Sequence, residues 1–235
     1  MRIGGLQRFS LLDYPGKLSA IVFTQGCNFR CPYCHNPGLV DPARFSESIP
    51  EEEVLDFLKK RVGKLNALTV TGGEPLLQPD LEDFLKAVKE LGYLIKLDTN
   101  GSFPAQLKSI IDQGLTDYIA MDIKAPLDLY SLVVQVELDS SAIIESMDLI
   151  RSSSIPYEFR TTLFDKVLLS EDVERLKLML KSGDVYYLQE CRYQDTLEEF
   201  DNDSTHNPAI DLKVKLNELL NWGSKNRIHI SLRTI

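Results

Sequence analysis

Nowhere in its 235 residues does the sequence carry an apolar run approaching the ~20 residues of a membrane-spanning helix. The opening Met1-Arg2-Ile3-Gly4-Gly5 lacks the basic-then-apolar layout of a secretory leader, so a cytoplasmic protein without membrane contact is expected. Positive charge is in deficit. Lys and Arg number 26 against 35 Asp and Glu, for a net charge of −9. A broad nucleic-acid-binding surface needs clustered positive charge, so a nucleic-acid partner is not expected, although a nucleotide in a pocket is compatible with this balance. Cysteine is scarce and unevenly placed. Of four, Cys27, Cys31 and Cys34 sit within eight residues, and Cys191 lies far away. A disulfide framework is not spread in this way, and thiols of a reducing compartment serve as metal ligands or catalysts instead. No internal repeat is visible and no linker splits the chain, so one domain over 1–235 is expected, at a size that suits an α/β domain of barrel type.

Short β-branched or aromatic runs alternate with longer amphipathic patterns. The runs predict strands at Leu18–Thr24, Ala67–Thr71, Leu94–Asp98, Asp117–Asp122, Tyr157–Leu163, Asp184–Gln189 and Ile228–Leu232. Between them, Glu51–Arg61 and Leu81–Leu91 carry apolar residues at helical spacing. Such alternation gives βαβ units and a parallel sheet. Side chains alternate faces along a strand. Lys96 and Asp98 therefore share one face, as do Ala120, Asp122 and Lys124, and again Glu158, Arg160 and Thr162. The opposite faces carry Ile95 and Leu97, Ile119, Met121 and Ile123, and Phe159. A parallel strand covered by helices on both sides reads apolar on both faces. One apolar face and one charged face suit an open or incomplete barrel whose polar side lines a cavity; a solvated polar face is the alternative. In such folds ligands bind at the C-terminal strand ends.

Directly after the first predicted strand comes Gly26-Cys27-Asn28-Phe29-Arg30-Cys31-Pro32-Tyr33-Cys34-His35-Asn36-Pro37. Pro32 opposes a regular helix, so this is a loop able to wrap a ligand. Three thiolates from one loop suit a soft metal or an iron–sulfur cluster. Three cysteines on a [4Fe–4S] cluster leave one iron open to a further ligand. The competing reading is zinc with His35 as fourth ligand, but structural zinc usually arrives through two separated pairs, and no second pair exists here.

The Cys27-x3-Cys31-x2-Cys34 spacing, with Tyr33 beside the last cysteine, resembles the radical S-adenosylmethionine superfamily. The extended Cys34-His35-Asn36-Pro37, soon after Asp13-Tyr14-Pro15-Gly16, is similar to the activating enzymes of glycyl radical enzymes. Within that group several segments resemble the anaerobic ribonucleoside-triphosphate reductase activating proteins. They are Gly4-Gly5-Leu6, Phe9 to Gly16, Thr71-Gly72-Gly73-Glu74-Pro75, Leu97-Asp98-Thr99-Asn100-Gly101 and Met121-Asp122-Ile123-Lys124, and the likeness runs from Met1 to about Gln189. The resemblance implies an incomplete (β/α)6 barrel of parallel strands and two cofactors, a [4Fe–4S] cluster on Cys27, Cys31 and Cys34 and S-adenosylmethionine beside it. It implies that Gly72, Gly73 and Glu74 bind the methionine ammonium, that Lys124 pairs its carboxylate, and that Arg160 binds the carboxylate or the ribose. It further implies a monovalent cation near Asp98, Thr99 and Asp122. Oxygen ligands suit a hard cation, yet Lys96 or Lys124 paired with those carboxylates would replace it equally well.

The implied reaction is reductive cleavage of S-adenosylmethionine to a 5′-deoxyadenosyl radical that abstracts hydrogen from a glycine of a partner enzyme. No general acid or base is required, which agrees with the lack of a His/carboxylate pair. The implied partners are a glycyl radical enzyme, anaerobic ribonucleotide reductase or another such as pyruvate formate-lyase, and an electron donor such as flavodoxin or ferredoxin. Modification of a small molecule, as by a deazaguanine synthase, is the rival chemistry, and a zinc-binding interaction module is the non-enzymatic rival. Tyr33 is expected against the adenine, or as an ordinary packing aromatic. Asn100 is either a turn former or a ligand contact. Cys191 is expected to be an unligated small residue. Neither His206 nor His229 takes a site role. The acidic stretch Asp195–Pro208 is expected to be a surface loop, either solvated or placed for partner docking.

Overall fold

The computed structural model describes residues 1–164, 168, 170–200 and 212–233. Eight strands form one sheet in chain order: β1 (Ile3–Ser10), β2 (Ser19–Thr24), β3 (Ala67–Gly72), β4 (Leu94–Thr99), β5 (Tyr118–Asp122), β6 (Tyr157–Leu163), β7 (Val185–Glu190) and β8 (His229–Arg233). β1 runs antiparallel to β2, and every other neighbouring pair is parallel. Among the described residues β8 does not pair with β1, so the barrel stays open along that side.

Each parallel step needs a crossover. A single turn α1 (Pro37–Val40) and α2 (Glu51–Lys59) lie between β2 and β3, α3 (Leu81–Glu90) precedes β4, and α4 (Pro104–Asp112) precedes β5. The pair α5 (Tyr130–Val134) and α6 (Ser141–Ser152) leads to β6, α7 (Ser170–Leu176) to β7, and α8 (Leu212–Asn226) to β8. Helix starts follow local chemistry. Glu51, Glu52 and Glu53 fill the first turn of α2, where the macrodipole favours anions. Pro104 opens α4, where its missing N–H costs nothing.

The main core lies outside the barrel, between sheet and helices. Val22, Val70, Leu97, Met121, Phe159 and Leu188 on the outer strand faces pack against Val54 and Leu58 of α2, Phe84 and Val88 of α3, Ile110 of α4 and Met147 of α6. The lumen face carries the polar set. Thr69 stands opposite Lys96, Asp98 opposite Ala120, Ala120 opposite Glu158, and Asp122 opposite Arg160.

All seven predicted strands are present, with ends within one or two residues, and both predicted helices end slightly earlier than expected. β1 was not anticipated. Its sequence IGGLQRFS holds two adjacent glycines, and the pairing with β2 slips twice, so no strict alternation marks it. It edges the sheet beside the first parallel strand.

Candidate active site

At the C-terminal strand ends a cavity of about 270 Å3 opens. Cys27, Cys31 and Cys34 line it from the loop after β2, together with Tyr33. Gly72 and Gly73 line it from the end of β3 and the turn after it, Asp98 from β4, Asp122 from the end of β5 and Lys124 just beyond, and Arg160 from β6. Of the residues expected to hold the cluster or S-adenosylmethionine, Glu74 is the exception that is not on its wall.

The cysteine loop is tied down through its main chain. Cys34 N donates to Cys31 O at 3.0 Å, closing the turn at Pro32-Tyr33, and Arg30 N donates to Val134 O at 2.9 Å. The Arg30 guanidinium donates to the carbonyls of Cys27 and Phe29, both at 2.7 Å. Phe29 is buried edge-on against Tyr130. Two N–H groups reach the Cys27 sulfur, Phe29 N at 3.4 Å and Asn100 Nδ2 at 3.9 Å. Asn100 also donates to Asn28 at 3.0 Å and accepts from Ser102, so a side-chain ring fastens the loop to the end of β4. Asn100 holds a turn, and it also lines the cavity.

Burial pushes the Cys27 thiol up to about 12 and the Cys31 thiol up to about 11, and raises Cys34 as well. With protein groups alone these sulfurs stay protonated at neutral pH; a metal's charge would make them thiolates. Among the described residues no three His, Cys, Asp or Glu side chains are gathered closely enough for one ion. His35 Nε2 lies 2.8 Å from Arg192 O. Three sulfurs spread along the cavity, with no fourth protein ligand gathered to them among the described residues, fit a cluster of several irons better than one tetrahedral zinc.

Gly72 and Gly73 serve a close backbone approach. Gly72 has φ of +117°, and a Cβ there would lie 2.4 Å from Thr24 N; one on Gly73 would lie 2.0 Å from Gly26 O. Only glycine fits either place. Gly73 N donates to Thr24 O and Glu74 N to Gly26 O, each at 2.8 Å, so this turn is bonded to the strand that leads into the cysteine loop. The Glu74 side chain turns away and is fully buried. Its carboxylate accepts from Leu76 N at 3.0 Å, Thr99 Oγ1 at 2.8 Å and Asn100 N at 2.7 Å. Burial pushes this carboxyl up to about 7 against those three hydrogen bonds.

A chain of ion pairs runs along the ends of β4, β5 and β6 beside the same cavity. Lys96 donates to Asp98 Oδ1; Arg160 donates from Nη1 to Asp98 Oδ2 at 3.0 Å and from Nε to Asp122 Oδ1 at 2.8 Å; Lys124 donates to Asp122 Oδ2 at 2.9 Å. Arg160 spans from β6 to β4 over Ala120, whose small side chain leaves the passage clear. Burial by itself raises both carboxyls, and the Arg160 charge, with Lys96 at Asp98 and Lys124 at Asp122, more than reverses this, so both lie below the usual carboxylate range.

Tyr33 packs on Phe164 at 4.9 Å between centroids, and its buried hydroxyl has no hydrogen-bond partner. Phe164, Tyr193 and Phe200 extend this aromatic group. The described part of the acidic stretch, Asp195–Phe200, is not loose: Leu197 N donates to Cys34 O at 2.9 Å and Glu198 N to Pro32 O at 3.0 Å, which lays it over the cysteine loop. Residues 201–208, including His206, lie outside the described residues. His229 is exposed beside Tyr187, away from the cavity wall. Cys191 is half-buried, its Sγ 3.6 Å from Arg192 O, and is not on the wall either. Thr162 and Gln189 do line the cavity and were not singled out. Thr162 lies on the face already read as polar, and Gln189 is its register partner on β7.

The model of the Radical SAM superfamily matches residues 21–180. A Methanocaldococcus jannaschii protein named as a glycyl-radical enzyme activating enzyme is 34% identical over 205 residues, covering 84% of this chain and 82% of that one. The pyruvate formate-lyase-activating enzyme of Clostridium pasteurianum is 38% identical over 129 residues, 52% of each chain, so this likeness spans about half of that relative. Among solved structures, Streptococcus suis SuiB bound to S-adenosylmethionine superposes with a TM-score of 0.66 at 12% identity, over 91% of this chain and 49% of that one. The anSMEcpe protein with bound AdoMet gives 0.64 at 17% identity, over 89% and 61%. These two show the fold alone. With the family model and the M. jannaschii relative each spanning most of the chain, it belongs to the radical SAM superfamily and, within it, to the glycyl-radical enzyme activating enzymes.

Proposed function

We propose that this chain installs a glycyl radical on anaerobic ribonucleotide reductase. The observation that carries the chemistry is a cavity lined both by three thiols and by the Asp98–Arg160–Asp122–Lys124 chain. When bound there, a [4Fe–4S] cluster and S-adenosylmethionine supply a one-electron cleavage of the sulfonium that yields the 5′-deoxyadenosyl radical. Cys27, Cys31 and Cys34 hold the cluster. The main chain at Gly72 and Gly73 receives the methionine ammonium, and Glu74 holds that turn against Thr99 and Asn100. Lys124, at the cavity wall, receives the carboxylate as a point charge. Arg160 positions Asp98 and Asp122 and borders the ribose. Tyr33 presents its ring and unpartnered hydroxyl to the adenine. The open side between β1 and β8 admits the partner's glycine loop, whose main chain approaches closely because glycine has no side chain.

The reductase as partner rests on the segments Gly4-Gly5-Leu6 and Phe9 to Gly16. The relative from C. pasteurianum favours a second reading, pyruvate formate-lyase. One experiment separates them. Reduced, cluster-loaded protein and S-adenosylmethionine are mixed without oxygen with each candidate, and a glycyl doublet is sought by electron spin resonance. A doublet on the reductase, abolished by Gly→Ala in its C-terminal loop, supports the proposal. A doublet on the lyase alone replaces the partner. Cofactor cleavage with neither signal points to a small-molecule substrate. Iron and sulfide content of anaerobically prepared protein tests the zinc-module reading.

A further inference from the structure

The resemblance that brings S-adenosylmethionine to this cavity also implies a monovalent cation among Asp98, Thr99 and Asp122, and these residues do not fit one. Each of the four carboxylate oxygens already accepts a hydrogen bond from a protein cation, in order Lys96, Arg160, Arg160 and Lys124. The threonine oxygen is engaged too: Thr99 Oγ1 donates to Glu74 Oε1 at 2.8 Å and accepts from Gly101 N at 3.1 Å. Charge argues the same way. Among the described residues, three cations, Lys96, Arg160 and Lys124, already donate to the two carboxylates of the site, Asp98 and Asp122. A metal ion would be a fourth positive charge packed against ammonium and guanidinium groups, whereas a ligand carboxylate would add the missing negative charge.

Lys96 has the placement of a permanent counter-ion. It stands on β4 two residues before Asp98, on the lumen face, opposite Thr69 in register. It is 3% exposed and is not on the cavity wall, while Asp98 is. Its ammonium therefore reaches Asp98 from beneath, on the side away from the cavity, leaving the upper side for the cofactor. We propose that Lys96 is a built-in ammonium that stands where a bound alkali ion would otherwise neutralise Asp98, so that this chain binds S-adenosylmethionine without needing sodium or potassium. The proposal rests on the cofactor reading above.

The test measures S-adenosylmethionine affinity of the anaerobic, cluster-loaded protein in potassium, sodium and choline chloride at equal ionic strength. The expected result is a Kd equal within twofold in all three salts. A fivefold or greater loss of affinity in choline overturns the proposal. Lys96→Met sharpens it: this variant is expected to weaken in choline by at least tenfold and to recover in potassium. A folded Lys96→Met whose affinity is intact in every salt removes Lys96 from the role and overturns the proposal as well. Should Lys96→Met not fold, the wild-type comparison across salts decides. Absence of binding by wild type in all salts is a different failure: it overturns the cofactor reading, and this inference with it.

Discussion

Two buried ion networks differ in a telling way. Outside the barrel, Asp184 accepts from Arg151 Nε at 3.0 Å and Nη2 at 2.8 Å, from the Tyr157 hydroxyl at 2.8 Å and from Lys181 N at 2.7 Å. Every donor comes from the scaffold, and the group lies between α6 and the start of β7, off the cavity wall. Inside the barrel, Asp98 and Asp122 are paired just as firmly to Arg160, but these three side chains line the cavity. A buried arginine–carboxylate pair is therefore not by itself a sign of function. What marks the second network is its place at the C-terminal strand ends, on a cavity that three thiols also line.

The widest gap is expected from the cysteines that line the same cavity as the lumen network. Alanine at Cys27, Cys31 or Cys34 should each reduce the iron and sulfide of anaerobically reconstituted protein to near background, and Cys191→Ala should leave both unchanged; metal analysis decides. Next in size, Asp184→Ala should remove about 3–5 kcal/mol of stability in urea unfolding, since Arg151 loses its bidentate partner, keeping Asp148 at 3.0 Å, and Tyr157 and Lys181 N lose their acceptor at the same time. In the surviving folded fraction it should leave S-adenosylmethionine affinity unaltered, and a tenfold loss would show that the outer network is coupled to the site.

Glu74 sharpens the comparison from a third side, for it has hydrogen-bond donors but no cation against it. Its folded value of about 7 lies above the ordinary value of 4.5. Its share of stability is complete below about pH 4.5 and is lost as pH rises through about 7, at most about 3 kcal/mol for such a shift. Asp98 and Asp122 run the other way, with stability present above 3.8 and lost as pH falls further. Melting temperatures of metal-free protein should therefore decline between pH 5 and 8, and Glu74→Gln should flatten that slope. The smallest expected effect belongs to Lys124→Ala. Loss of one charge-assisted contact of about 1.5–3 kcal/mol weakens S-adenosylmethionine by roughly 10–100-fold. Stability should change less than in Asp184→Ala, because Asp122 keeps Arg160. Isotherms read beside melts check both halves.

Much of this was legible from residue order because strand parity is a local property. Lys96, Asp98, Asp122, Glu158 and Arg160 fall on one face by counting alone, and the structure puts that face in the lumen. The cysteine spacing is local too. Direction at the end of a strand is not. Glu74 follows two glycines whose backbone approach to Thr24 and Gly26 turns its side chain inward, and nothing in Gly-Gly-Glu-Pro states which way that turn faces. Packing of distant segments is hidden for the same reason. The contact of Leu197 and Glu198 with the cysteine loop depends on main-chain groups that carry no sequence signature. β1 escaped notice because glycines and two register slips erase its period.

The two main-chain bonds from Gly73 and Glu74 to Thr24 and Gly26 have a mechanical consequence. They make the turn after β3 and the start of the cysteine loop one stiff piece, with no side chain interposed. Thermal displacement of either carries the other along, so the spacing between what each holds is set by peptide geometry. Where a reaction depends on an electron crossing a short gap, such a joint holds the two sides of that gap in register.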